Sequence, residues 1–490
     1  MNVRSDQNLS MLCDFYELTM GNGYFRNGYK DRITYFDLFF RQVPDGGGFA
    51  IAAGLEQVVE YITNLHFSDE DIDYLRSRGI FCEEFLQYLR DFRFTGDIWA
   101  VPEGTPVFPR EPLITVRAPA IEAQLVETYL LLAVNHQSLI ATKASRIVRA
   151  ARGRAVMEFG SRRAQGADAA ILGARAAYIA GCSGTACTIS DQLYGVPALG
   201  TMAHSWVQMF DSEYDAFRTY CESYPTNAVL LVDTYNTLKS GIPNAIRAFN
   251  DVLKPMGITR CGIRLDSGDM AYLTKEARRI LDEAGWESCY ITCSNSLDEY
   301  IIQDLLLQGA RIDSFGVGER LITAKSEPVF GGVYKLVAVE RESGEIVPKI
   351  KVSENVAKIT IPHFKKFYRF YDRKNGKALA DYLCLYDETP DDTQPLTIFH
   401  PENTWKRKML TDFRAENMMV PVFRAGELVY ELPPLEAIRK RCAEQLETLW
   451  PEVLRFENPH GYYVDLSDRL WDIRHELLVN AGHSQIPEKK

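Results

Sequence analysis

The residues able to do chemistry in this chain fall in short polar clusters that follow apolar runs. GVPALGTMAHSWVQMF, residues 195–210, climbs through Val196, Pro197, Ala198 and Leu199, breaks at Gly200 and delivers His204 and Ser205 just beyond. AVMEF ends on Glu158-Phe159-Gly160, GCSGT carries Ser183, and AVLLVDT ends on Asp233-Thr234. GIRLDS ends on Asp266-Ser267, CYITCSN on Ser294-Asn295, and SFGVG on Gly316-Val317-Gly318. Imidazole is a nucleophile near neutral pH, and a carboxylate that fixes its tautomer improves it. Arg264 interrupts an apolar run, a position where a guanidinium usually has an anionic partner. Gly316-Val317-Gly318 runs into Glu319-Arg320-Leu321-Ile322-Thr323, a strand, glycine turn and helix start of the kind whose backbone N–H groups hold phosphate. The chemistry suggested is anion handling beside a reactive imidazole.

Each cluster also has a plainer reading. Asp266 to Asp269, Asn295 and Ser296 could serve only as helix caps, and Gly316 and Gly318 as a bare turn. His204 could be a structural histidine, and Arg162 and Arg163 solvated surface groups. The coincidence of seven polar or glycine-rich ends on seven apolar runs favours a shared site.

The elements that would position these ends follow from periodicity. Between about residues 150 and 320 the candidate strands AVMEF, GCSGT, VPALGTM, AVLLVDT, GIRLDS, CYITCSN and SFGVG alternate with segments of helical period. SLDEYIIQDLLLQG opens with Ser296 and Glu299 in capping-box relation and stops at Gly309. MAYLTKEARRILDEAG places Leu273, Ala277, Ile280, Leu281 and Ala284 on one stripe. Strands apolar on both faces call for a parallel sheet covered by helices, either a closed α/β barrel or an open doubly wound sheet. No dinucleotide fingerprint opens the first unit, which disfavours the open sheet. In such architectures ligands gather at the C-terminal ends of the strands.

The flanking regions differ. Before residue 130, ITYFDLFFRQVP reads as a strand, PDGGGFAIAAG as a glycine-rich turn, LEQVVEYITNL as an amphipathic helix, and GDIWAVPEGTPVFPREPLITVRAP as short strands, together an α+β piece. After Gly331, KLVAVERESGEIVPKIKVS, FYRFYDRKNGKALADYLCLY and VPVFRAGELVYEL read as hairpins, followed by helices over LEAIRKRCAEQLETLW and DRLWDIRHELLVN. The expected domains are 1–130, 131–330, and a segment 331–490 that completes the first and adds a helical extension.

With 490 residues, 46% hydrophobic and 25% charged, the chain has the make-up of a soluble protein of two or three domains. A formal charge of −11 argues against broad nucleic-acid or anionic-membrane binding. The N-terminus is polar where a secretory signal would be apolar, no run of 18 uncharged apolar residues occurs, and the ten cysteines form no C-x-x-C pair. A reducing cytoplasm is the expected home.

LCDFYELTMGNGYF, FDLFFRQVPDGGGFAIAAGLE, MEFGSRRAQG, GVPALGTMAHSWV, LLVDTYNTLKSGIPNA, GIRLDSGD, CSNSLDE and FGVGERLIT with GGVYKLVAV occur in the order seen in nicotinate phosphoribosyltransferases. The chain resembles that family from about residue 10 to 340, and more weakly into PKIKVSENVAKITIP. The resemblance implies ATP-assisted condensation of nicotinate with phosphoribosyl pyrophosphate to nicotinate mononucleotide and pyrophosphate in NAD salvage. It also implies an incomplete seven-stranded α/β barrel beside an N-terminal α+β domain with a C-terminal β-rich and helical extension, in a head-to-tail homodimer.

On this resemblance His204 is the phosphorylated histidine and Asp233 the carboxylate that orients it. Arg264 and Asp266 hold the ribose and phosphates, with Mg²⁺ bridging the donor pyrophosphate and no dedicated protein cage assigned. Ser205 joins the substrate contacts, while Asn295, Gly316, Gly318 and Thr323 receive the 5′-phosphate. Phe159 and Tyr16 of the partner subunit form two faces of a stacking clamp for the pyridine, and Arg162 pairs with its carboxylate. The sibling nicotinamide enzyme carries Asp where Ala186 stands, and an Asp would repel a carboxylate.

Four other readings remain. Nicotinamide or quinolinate phosphoribosyltransferase would share the scaffold, the second needing extra cations. A sugar-phosphate lyase or aldolase would want a Schiff-base lysine or metal cluster at a strand end, and Lys239 lies several residues beyond its strand. A non-catalytic regulator would not need the intact rim.

Overall fold

Strand Ile33–Phe40, with sequence ITYFDLFF, is buried at every residue but the first, so both faces of its pleat are covered. The computed structural model describes residues 8–355 and 358–483, and the chain divides into two units, Met1–Leu139 with Val329–Lys490 and Ile140–Pro328. In the first unit a seven-stranded antiparallel sheet runs in the order Ile346–Pro348, Gly332–Glu340, Ile33–Phe40, Ile114–Pro119, Asp97–Ala100, Val420–Arg424, Glu427–Leu428. The strand from the start of the chain is therefore paired on one side with a strand from its last third. A second sheet joins Phe413–Asn417, Lys365–Asp372, Ala378–Leu385 and Val464–Leu466. Its fully buried Arg369 donates from Nε and Nη2 to both oxygens of Asp381, at 2.8 and 2.6 Å. Burial of such a pair is costly unless its geometry is bidentate and further hydrogen bonds support it; here Nη2 also donates to Pro106 O at 2.9 Å and the Tyr462 hydroxyl to Asp381 Oδ1 at 3.0 Å. Helices Leu435–Thr448 and Asp468–His483 follow.

The second unit carries a six-stranded parallel sheet in the order Gly184–Thr185, Ala155–Glu158, Ser314–Val317, Tyr290–Ser294, Gly262–Leu265, Val229–Leu231. Parallel pairing requires a crossover between strands, and helices Ala167–Ile179, Met270–Glu283 and Glu299–Leu307 supply it. Three sequence expectations are corrected here. VPALGTM forms no strand: it contributes one parallel bridge, Thr185 to Ala198, where the Pro197 carbonyl accepts from Thr185 N and Leu199 N donates to Thr185 O. Pro197 has no N–H to extend the ladder, and the Ala198 N–H is diverted to the Asp191 carboxylate at 3.0 Å.

Ser296 and Glu299 form no capping box. Asp298 caps helix Glu299–Leu307 by accepting from the N–H groups of Tyr300 and Ile301, and Ser296 sits at φ 53°. Glu299 is instead fully buried against Lys143 and Arg146, at 2.9 and 2.7 Å. On helix Met270–Glu283 the buried face is Met270, Ala271, Thr274, Ala277 and Leu281, leaving Leu273, Ile280 and Ala284 on its half-buried flank. Among the described residues, no helix is long and apolar enough to cross a membrane.

Helix Phe15–Arg26 holds a further buried acid. Glu17 accepts from Thr128 N at 3.2 Å and Thr128 Oγ1 at 2.6 Å, while its Oε2 has no hydrogen-bond partner. Burial outweighs these donors and pushes its carboxyl from the usual 4.5 up to about 7. A folded value above the unfolded one means the stabilising contribution is present below pH 4.5 and lost as pH rises through 7, a total of roughly 3 kcal/mol. Glu17→Gln should therefore gain in melting temperature relative to the native chain as pH is raised from 5 to 8.5. Calorimetry that finds a pH-independent difference between the two would refute the assignment.

Candidate active site

Side chains alternate between faces along a strand, and parallel register carries one face across the sheet. Arg264 is opposite Thr292, which is opposite Ser314; two residues on, Ser294 is opposite Gly316. Ile263, Leu265, Ile291, Cys293 and Phe315 are all fully buried on the alternate face. The polar face therefore gathers Arg264, Asp266, Thr292, Ser294 and Ser314, and the Thr292 and Ser314 hydroxyls meet at 2.8 Å.

Arg264 is the hub. Its Nε donates to Ser294 Oγ at 2.9 Å, Nη1 to Thr201 Oγ1 at 3.1 Å and Met202 O at 3.4 Å, and Nη2 to Asp266 Oδ1 at 2.9 Å. Ser294 Oγ donates to the same Asp266 oxygen. A planar guanidinium with a carboxylate and three further acceptors is held in one orientation, with its charge partly balanced before any anion arrives. Its Cζ lies 5.6 Å from the centroid of the Phe159 ring.

His204 opens helix His204–Gln208 and is half-exposed. Its Nδ1 meets Thr234 Oγ1 at 3.0 Å, and its Nε2 stands 4.0 Å from both Asp233 Oδ1 and Asp266 Oδ2. Four ångströms is beyond a hydrogen bond. The partner that orients the ring is thus Thr234 rather than Asp233, whose Oδ2 accepts from Asp266 N and Ser267 Oγ, both at 2.7 Å. Asp233 Oδ1 is buried with no hydrogen-bond partner. A single carboxylate thereby pins the Asp266 loop and presents an unpaired oxygen toward the imidazole.

Phe159 lies over Gly316: a Cβ built there would stand 2.5 Å from Phe159 Cδ2. Glu158, fully buried, accepts from Gly160 N on one oxygen and from Thr185 Oγ1 at 2.6 Å on the other, and burial pushes its carboxyl up. Gly318 caps the single turn Glu319–Ile322, and Thr323 Oγ1 donates back to Glu319 O at 2.7 Å. Thr323 also borders a cavity of about 340 Å³ lined by Arg163, Gln165, Glu319, Lys325 and Pro328.

The structure thus gathers His204, Asp233, Arg264, Asp266, Phe159 and Gly316. Ser205, Arg162 and Asn295 are exposed at the ends of their segments, Asn295 in the left-handed region at φ 85°. Tyr16 belongs to the first unit, exposed on helix Phe15–Arg26, with its hydroxyl bonded to Glu127. Thr201, Thr234, Ser267 and Ser294 acquire roles that sequence reading did not assign. The adjoining signal was the hydroxyl beside each acid in V-D-T and L-D-S. Among the described residues no cluster of three His, Cys, Asp or Glu is arranged to hold a metal.

Over 486 residues, 99% of this chain and 98% of the relative, the sequence is 45% identical to nicotinate phosphoribosyltransferase of Bacillus subtilis (strain 168). The chain belongs to the nicotinate phosphoribosyltransferase family. The family's N-terminal domain matches residues 11–135 and its C-terminal domain residues 364–474. The Homo sapiens nicotinate phosphoribosyltransferase is 31% identical over 96% of both chains. The crystal structure of human nicotinic acid phosphoribosyltransferase superposes with a TM-score of 0.84 at 30% identity, covering 95% of this chain and 99% of that one. The mixed α/β fold is accordingly that of the family.

The ring over Gly316 yields a direct test. Gly316→Ala forces Phe159 aside, and overpacking of this kind costs roughly 1–3 kcal/mol. Thermal unfolding should show a lowered midpoint, and a crystal structure of the variant a displaced ring; an unmoved ring at unchanged stability would contradict the packing described.

Proposed function

We propose that this chain transfers the 5-phosphoribosyl group of phosphoribosyl pyrophosphate to nicotinate, releasing pyrophosphate and forming nicotinate mononucleotide, with ATP phosphorylating His204 during turnover. The reading rests above all on the convergence of His204, at the start of its helix, with Asp233, Asp266 and Arg264 at neighbouring strand ends. Similarity along the whole length to enzymes named nicotinate phosphoribosyltransferases supports the choice of substrates. We read the parallel sheet with its Ala198 bridge as an incomplete seven-stranded barrel. In favour of this, the third and fourth segments in chain order lie at the two edges, as an opening in a ring would leave them.

The chain's own groups account for the steps. The Thr234 hydroxyl fixes the rotation of the His204 ring, and the imidazole attacks the γ-phosphorus of ATP as ADP leaves; hydrolysis of the phosphohistidine, coupled to turnover, releases phosphate and restores the imidazole. Arg264, with Asp266, holds the ribose and phosphates of the donor; Asn295, Gly316, Gly318 and Thr323 receive the 5′-phosphate, and Ser205 lies beside the imidazole. The pyridine stacks on Phe159 and on Tyr16 of the partner subunit, and Arg162 pairs with the carboxylate. Positive charge develops on the ribose as pyrophosphate departs. Nicotinate nitrogen is already a free nucleophile, so placement and charge neutralisation suffice without a general base.

The unpaired Asp233 Oδ1 and the Asp266 Oδ2, each 4.0 Å from His204 Nε2, offer hard oxygen ligands, too few for a closed cage. They fit Mg²⁺ carried in on the donor pyrophosphate, where the ion would neutralise charge on the leaving group. A homodimer is supported by Leu12, Phe15, Tyr16 and Met20, all exposed on or next to the first helix of the chain, an apolar surface suited to cover by a second copy. Ten free thiols suit a reducing cytoplasm.

A pyrophosphate-release assay with nicotinate, with and without ATP, tests this reading. His204→Ala should abolish the stimulation by ATP and leave slow ATP-independent transfer. An unchanged ATP response would remove His204 from the mechanism, and a native chain preferring nicotinamide would overturn the substrate assignment.

A further inference from the structure

We infer that Glu158 is a positioning residue for pyridine recognition: its buried carboxylate clips the Phe159–Gly160 turn to the Thr185–Ala186 loop and so sets the space offered to the substituent on the ring. The inference rests on the pyridine site proposed above and deepens it.

Glu158 ends strand Ala155–Glu158 and lies in register with Thr185 on the neighbouring parallel strand. One carboxylate oxygen takes the Gly160 N–H, which closes the turn that projects Phe159. The other takes the Thr185 hydroxyl proton at 2.6 Å, and Thr185 Oγ1 in turn accepts from Cys187 N at 3.0 Å. The Glu158 carbonyl adds a third tie by accepting from Ala186 N at 2.8 Å. Thr185 and Ala186 are therefore fastened directly to the residue that precedes Phe159, and Cys187 through the Thr185 hydroxyl.

Glu158 and Thr185 are both fully buried, so neither touches substrate. Ala186 is exposed, and Phe159 is half-buried over Gly316 and beside Arg264. The clip thus works through its neighbours. A backbone loop of small residues next to a ring has no side chain of its own to hold its distance; the carboxylate supplies that rigidity. A carboxylate is a better acceptor for two donors than an amide, which has one acceptor oxygen and would direct N–H₂ at either Gly160 N–H or the Thr185 hydroxyl. No proton transfer or bond cleavage is assigned to Glu158.

Steady-state transfer to nicotinate and to nicotinamide, with the donor KM measured separately, tests the clip in the full-length enzyme. Glu158→Gln should raise the KM for nicotinate by about tenfold, the loss expected for a hydrogen bond to a charged acceptor. The same variant should narrow the nicotinate-to-nicotinamide preference and leave kcat and the donor KM within about twofold, a split that general destabilisation would not produce. Thr185→Val should reproduce the effect, Thr185→Ser should restore the hydroxyl and the native KM, and the double variant Glu158→Gln with Thr185→Val should be no worse than either single. If Glu158→Gln cannot be folded, the Thr185 pair decides alone. An unchanged nicotinate KM, equal losses for both pyridines, or a fall confined to kcat overturns the inference. Absence of transfer by the native enzyme would instead refute the function on which it rests.

Discussion

The backbone hydrogen bonds that hold Val229–Leu231, Gly262–Leu265, Tyr290–Ser294 and Ser314–Val317 in parallel register require Leu231, Arg264, Thr292 and Ser314 to lie abreast. From that constraint the division of labour in the second unit follows. One face is an unbroken apolar layer, and the other is free to carry hydroxyls, a guanidinium and carboxylates toward the strand ends. A slip of one residue in any strand would turn its polar set into the apolar layer, so the register is enforced by the same burial that stabilises the sheet.

Charge is arranged with similar economy. Arg264 is countered by Asp266, Asp266 is fixed by Asp233, and Asp233 is anchored through one oxygen while the other remains open toward His204. An incoming polyanion meets a cation already oriented by four acceptors, so little reorganisation is required when it binds. Asp233 and Asp266 beside the imidazole keep the locality from being uniformly positive, which suits a site that must also release its anionic product.

Much of this was legible in the sequence. The alternation of strands and helices between residues 150 and 320 follows from hydrophobic period, and the turns at Gly344, Gly376 and Gly426 are signalled by composition, each standing at positive φ where a Cβ would be strained. VPALGTM misled because apolar content was read without counting donors: Pro197 and the diverted Ala198 N–H leave only one bridge. Ser296 and Glu299 misled because capping and burial compete for the same acid, and two buried cations claimed Glu299. At the rim, residue types announced His204, Asp233, Arg264 and Asp266. The choice of Thr234 over Asp233 as the nearest partner of the ring depends on a difference of one ångström, which no spacing in the sequence encodes. Glu158 was visible only as one member of the Glu158-Phe159-Gly160 strand end, since its role comes from a partner 27 residues away.

The first unit is assembled from the two extremes of the chain, with Thr34 paired to Val339 and Ala100 to Val420, while Ile140–Pro328 is continuous. Synthesis on the ribosome proceeds from the N-terminus, so the inserted stretch emerges whole before the residues that complete the first unit's sheet exist. Strand Ile33–Phe40 lacks one neighbour until Gly332–Glu340 leaves the exit tunnel, and Asp97–Ala100 lacks one until the segment around Val420 does, so each first presents an open, largely apolar edge. Such long-range closure is slow and exposes the nascent polypeptide to misassociation. The order of translation thus gives the inserted unit a head start and leaves the flanking sheet as the step most dependent on dilution or chaperone protection in the cell.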